Sequence, residues 1–212
     1  EITTTGTTKG TSHNGIFASN SANGTSLTIN AATTTGSHVG IFAINKGTGA
    51  LSIKTTGTTT GGKGSDGISA KNDGTSLTIE AATTTGVTSG IYANNQGSGA
   101  LSITTTGTTT GGKGGIYANN SSAGTSLTIN AANTEGGKHG ISADNKGTGA
   151  LSITTSGAIT GGTSYGIAAL TLANKMTNIT LNSGAVSSTA GLGIFNNGGN
   201  STTTVNTGAS VA

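Results

Sequence analysis

The chain contains no cysteine, proline, tryptophan or arginine. Without cysteine there is neither a disulfide framework nor a thiolate metal site. Charged residues make up 7% of the 212 and aromatic residues 3%. Large aliphatic side chains are too few and too evenly spread to fill a roughly spherical core. No apolar run approaches the ~18 residues of a membrane-spanning helix, so this segment is not expected to insert into a membrane. The missing arginine and the lack of a basic–aromatic platform argue against nucleic acid as a partner. Low charge with abundant glycine, threonine, serine and asparagine is a composition otherwise associated with disorder.

What the chain does have is a period of about 25 residues. Gly-Ile recurs at Gly15-Ile16, Gly40-Ile41, Gly67-Ile68, Gly90-Ile91, Gly115-Ile116, Gly140-Ile141, Gly166-Ile167 and Gly193-Ile194. Leu-x-Ile keeps step from Leu27/Ile29 to Leu151/Ile153, then appears reversed as Ile179/Leu181. A glycine column runs through Gly10, Gly36, Gly61, Gly86, Gly111, Gly136 and Gly161. A disordered chain has no reason to hold this register. Stacked units, each unable to bury its apolar face alone, do. The expectation is one elongated repeat domain over 1–212. Glu1 begins inside a repeat and Thr203 to Val211 still alternates, so the chain reads as a fragment of a longer array.

Each unit holds three short extended stretches: Leu-x-Ile, Thr-Thr-Thr-Gly and Gly-Ile-x-Ala. Period-two alternation bounded by Gly and Asn reads as β-strand. Three strands per unit, stacked on the same three strands of the next, predict an all-β, right-handed parallel β-helix. It should have about eight coils and be about 40 Å long at a rung spacing of about 4.8 Å. Alternation points Ile41 and Ala43 inward and Phe42 outward, and Leu27 and Ile29 inward. The middle threonine of the second stretch (Thr34, Thr59, Thr84, Thr109, Thr134) is assigned inward because Ile159 and Val186 stand in its place later. Its hydroxyl is expected to find backbone or threonine partners. Asparagine falls four residues after each Ile, at Asn20, Asn45, Asn72, Asn95, Asn120 and Asn145. It suits a sharp turn with left-handed backbone, with amides bonded from coil to coil. In the seventh unit Thr171 takes this place. Leu170, Leu172 and Met176 follow the pattern poorly, which suggests a bulged loop or a local partner surface.

The segments GTSLTINAATTTG (24–36) and GSGALSITTTGTTTGGKGGIYANN (97–120) resemble the passenger domains of classical, type V autotransporters of Gram-negative bacteria. The resemblance covers essentially the whole chain. It implies export to the bacterial surface or the extracellular space by a C-terminal barrel, and a role in adhesion, self-association or action on host cells. Protease passengers of that family carry a separate catalytic domain with Gly-x-Ser-x-Gly. That motif does not occur here, so the resemblance brings no catalytic residue.

An enzyme on this scaffold needs clustered acids. Asp66, Asp73, Glu80, Glu135 and Asp144 fall on different coils or turns, so no catalytic residue is assigned. His13, His38 and His139 are expected as solvated turn residues on separate coils. No metal or cofactor is expected. Stretches such as Gly61-Gly62-Lys63-Gly64 lack the helix and the Gly-Lys-Ser/Thr order of a phosphate loop.

Two outward columns are the candidate binding surfaces. One is aromatic: Phe17, Phe42, Ser69, Tyr92, Tyr117, Ser142, Ala168, Phe195. It either offers a sticky face or simply covers the sheet. The other is basic: Ser12, His38, Lys63, Thr88, Lys113, Lys138, Thr163. With nine lysines, six acids and a pI near 9.3, it suits sulfated glycans or anionic cell surfaces, or else serves only solubility. The function expected is a non-enzymatic surface or secreted passenger in adhesion to a host-cell receptor or sulfated glycan, or in self-association. The alternative is a released, soluble ligand of a host-cell receptor. A polysaccharide-active enzyme is the third reading.

Overall fold

A computed structural model describes residues 1–212 as a β-solenoid. Three parallel sheets run its length, two of nine strands and one of eight, and there is no helix. About eight coils of about 25 residues are stacked. The first sheet carries the Leu-x-Ile strands, such as Leu77–Ala81 and Leu101–Thr105. The second carries three-residue strands such as Thr84–Gly86, and the third carries the Gly-Ile strands such as Ser89–Asn95 and Gly114–Asn120. Pairing is in strict register: Leu77 lies on Leu101, Thr84 on Thr109 and Ile91 on Ile116.

The core is the narrow tube between the sheets, a cluster of 33 buried residues. Ile and Leu come from the first sheet, Ile and Ala from the third, and threonine from the second. Thr34, Thr59, Thr84, Thr109 and Thr134 do point inward, and Ile159 and Val186 continue their column. The expectation for their hydroxyls fails. Those of Thr34, Thr59, Thr84 and Thr109 have no hydrogen-bond partner, and only Thr134 donates, to the Ala132 carbonyl. The reason is geometric. The threonine methyls pack on the glycine of a Gly-Ile pair one coil back, Thr34 on Gly15 and Thr109 on Gly90, and the buried hydroxyls beside them meet no donor or acceptor.

The glycine column marks a corner. A Cβ on Gly36, Gly86 or Gly111 would collide with the carbonyl oxygen of Val39, Ser89 or Gly114. The chain therefore folds back on itself there, and only glycine allows the approach.

A finer period is superposed. Ala31, Ala81 and Ala131 alternate along the first sheet with Thr55, Thr105 and Thr155. The Thr55 and Thr105 hydroxyls accept the backbone N–H of Ala82 and Ala132 in the next coil, at 3.3 and 3.0 Å.

The asparagine column is an unbroken ladder. Each side-chain amide donates to the carbonyl oxygen of the next, from Asn20 to Asn45, Asn72, Asn95, Asn120 and Asn145, at 2.8–2.9 Å. Asn45, Asn95 and Asn145 also donate to the carbonyls of Gly49, Gly99 and Gly149. These residues end strands and are buried from Asn45 onward, and none has left-handed backbone. Their amides, rather than a turn conformation, explain asparagine at this position.

The seventh unit holds no bulge. Asn145 pairs with Thr171 and Leu151 with Thr177, so the connecting segment has its usual length. A turn closed by the Lys175 N–H on the Leu172 carbonyl spans it. The Thr171 and Thr177 hydroxyls, 3.2 Å apart, replace an asparagine and a leucine.

Candidate functional site

The aromatic column lies in register on the outer face of the third sheet. Phe17 pairs with Phe42, Phe42 with Ser69, Ser69 with Tyr92, and Tyr92 with Tyr117. Ser142, Ala168 and Phe195 complete it. Phe17 is 61% exposed, with its ring 5.6 Å from that of Phe42.

A second column lies beside it, formed by the residue that precedes each Gly-Ile pair: Asn14, Val39, Asp66, Ser89, Gly114, His139, Tyr165, Leu192. Pairing runs from Ser89 through Gly114, His139 and Tyr165 to Leu192. The Tyr117 ring leans over Gly114, where any side chain would collide with it, and meets His139 edge-on at 6.0 Å. His139 stacks on Tyr165 at 5.5 Å, and Tyr165 on Phe195 at 5.0 Å. His139 is thus half-buried in a chain of rings and is not a free turn residue. Its Nδ1 is enclosed without a partner. Burial, and then the Lys138 charge, hold its pKa below the ordinary 6.5.

The basic column needs three corrections, one of them at its far end, where the Ser164 N–H and not that of Thr163 donates to Lys138 because the corner from Gly161 to Gly166 is one residue longer. Lys113 and Lys138 do occupy adjacent rungs: the Lys113 N–H donates to Thr88 at 2.8 Å and the Lys138 N–H to Lys113 at 2.7 Å. Below Thr88, however, the partner is Ser65, not Lys63. The corner from Gly61 to Gly67 is two residues longer than those from Gly36 to Gly40 or Gly86 to Gly90. The excess is taken up by a loop in which Lys63 (φ 40°) and Gly64 (φ 70°) have left-handed backbone. Lys63 therefore stands on the loop, outside the column. At the other end His38 lies over His13, not Ser12, with rings stacked at 6.0 Å and its N–H on the His13 carbonyl. The corner from Gly10 to Gly15 is likewise one residue longer.

The acids lie apart. Glu80 pairs with Lys54 at 3.1 Å, Asp73 with Lys71 at 3.6 Å and Asp144 with Lys146 at 3.4 Å, all near the surface. Asp66 is different. It sits half-buried at the end of the long loop, and its Oδ1 accepts the Ser89 N–H at 3.0 Å. Asn14 makes the equivalent bond to the Val39 N–H at 3.2 Å. Burial raises the Asp66 carboxyl above its ordinary 3.8, and hydrogen bonds from Ser89 and Ser69 oppose this.

Asp66, Ser69, Thr88, Ser89, Tyr92, Lys113 and Tyr117 line one open groove of about 340 Å³ across three coils. Tyr92, Tyr117 and Lys113 were legible in the sequence as outward residues. Asp66 was not, because its role depends on the longer corner. In comparisons with known proteins, no family model, no curated protein and no solved structure matches this chain.

Proposed function

We propose that this solenoid is the repeat region of an exported bacterial passenger that acts without catalysis, outside the cell, in adhesion to host-cell surfaces or in self-association. The observation that carries this reading is the contrast among the lysines. Lys54, Lys71 and Lys146 each lie beside a carboxylate. Lys113 and Lys138 have none, yet stand on adjacent rungs about 5 Å apart at the backbone. Solubility alone gives no reason to crowd two free cations. A linear polyanion, such as a sulfated glycan, lying along the rod meets both at once.

The test is heparin retention. Lys113→Gln with Lys138→Gln should lower the salt concentration at which the protein elutes and leave the melting temperature unchanged, since both side chains are exposed. Binding to host cells should fall in parallel when their glycosaminoglycans are removed. Retention equal to wild type would reduce these lysines to a solubilising role. Self-association would then rest on Phe17 and Phe42, read by sedimentation of Phe17→Ser.

A second reading has its own observation. Leu172 and Met176 flank one turn and are 47% and 50% exposed. An irregular apolar patch on an otherwise repetitive rod suits a single receptor contact, as a released soluble ligand would make.

A further inference from the structure

The groove beside the long corner occurs once in a chain built of repeats. Further along, from His139 to Phe195, rings stacked on one another cover the two outer columns of the third sheet. Here three features coincide on consecutive coils. The column residue preceding Gly-Ile is a carboxylate, then a serine, then a glycine: Asp66, Ser89, Gly114. The neighbouring column reads Ser69, Tyr92, Tyr117. Because the Tyr117 ring folds over Gly114 toward His139, it leaves its register partner Tyr92 and opens a cleft between the two phenols. The floor is hydroxyl and backbone, the walls are aromatic faces, a carboxylate closes one end and Lys113 stands at the rim.

We propose that this groove is a saccharide subsite that takes a single neutral pyranose unit of a glycan. The proposal rests on the adhesive reading above and names the chemistry of one contact within it. Aromatic walls accept the C–H face of a sugar ring, an apolar patch on a polar molecule. The Asp66 carboxylate takes the Ser89 N–H on Oδ1 and lies within reach of the Ser69 and Ser89 hydroxyls, so a sugar hydroxyl can add to or replace these exchangeable donors. The Lys113 ammonium donates to hydroxyl or ring oxygens. One negative and one positive group within the same groove favour a neutral ligand. A uronate or sulfated unit at this spot would face the Asp66 charge. The volume lies at the lower end of the range for small-molecule sites, and its openness suits one unit of a chain that passes over it. Repetition of such weak contacts across many copies of the protein would supply avidity.

Methyl β-glucoside, methyl β-galactoside and methyl α-mannoside, each at millimolar concentration, serve as probes against a heparin tetrasaccharide. Binding is read by saturation-transfer NMR and by shifts of the tyrosine ring resonances. At least one neutral glycoside should bind, with shifts at Tyr92 and Tyr117, and added salt should leave its affinity unchanged. Tyr92→Ser with Tyr117→Ser should weaken it at least tenfold. Ser69 and Ser142 already occupy this column, so the fold tolerates the change. Asp66→Asn should also weaken it while keeping the Ser89 contact, as Asn14 shows. Failure of all three neutral probes overturns the proposal, as does equal binding by the double serine variant. The wider adhesive reading fails separately, by unchanged heparin retention in Lys113→Gln with Lys138→Gln.

Discussion

At the residue scale, the inward threonines are the least comfortable part of the core. Four consecutive hydroxyls, on Thr34, Thr59, Thr84 and Thr109, are buried without partners. An unpaired buried hydroxyl costs about 1–3 kcal/mol. Valine has nearly the same shape and lacks the penalty, and Ile159 and Val186 already stand in this column. Thr109→Val should therefore stabilise the protein by about 1 kcal/mol, seen as a higher midpoint in guanidinium with an unchanged slope. A lower midpoint would mean that the hydroxyls find partners in solution. His139 gives a second residue-scale expectation. Its folded pKa lies below 6.5, so the unfolded chain takes up a proton first as the pH falls. Its contribution is whole above 6.5 and is lost as the pH drops from there toward the depressed folded value. The ring is only half-buried, so solvent screens the effect and the decline in melting temperature should be shallow. It should flatten in His139→Gln.

At the scale of the element, the asparagine ladder shares the work of holding coil on coil with the sheets. Asn120 accepts from Asn95 and donates to Asn145, to Thr125 and to Ser126. Asn120→Ala leaves the Asn95 amide and the Asn145 carbonyl oxygen facing a void in a buried row. About 2–4 kcal/mol should be lost in chemical denaturation, well above the effect of a surface change. The ladder was legible in the sequence because six asparagines keep one distance from six isoleucines. Inward and outward positions were legible for the same reason, since alternation within a strand tolerates no slip. Corners were less so. Counting forward from Gly61 placed Lys63 beside Thr88, and counting forward from Gly10 placed Ser12 beside His38. In both cases the corner is longer than its neighbours, and the true partners, Ser65 and His13, emerge only by counting back from the next Gly-Ile. The same backward count would have set Asp66, His139 and Tyr165 in one column. The threonine hydroxyls were misjudged for another reason. Their partners depend on which atoms of the neighbouring coil come within reach, which a one-dimensional pattern does not contain.

At the scale of the whole molecule, repetition gives a surface that changes slowly along its length and is interrupted at few places. The long corner at Gly61 to Gly67 is one, and the turn at Leu172 to Lys175 another. If the proposed polyanion binding holds, it should be weak, multivalent and strongly weakened by salt, because exposed lysines such as Lys113 and Lys138 offer charge alone.

The orientation of the hydrogen bonds has a mechanical consequence. The ladders between coils, asparagine row included, run parallel to the rod axis, while the strands lie across it. Tension along the axis therefore opens rungs one after another and does not shear a whole sheet at once. Each coil that peels away replaces about 4.8 Å of rod with about 80–90 Å of slack chain. A rod made this way yields by lengthening, and it spreads a sudden pull over many small ruptures.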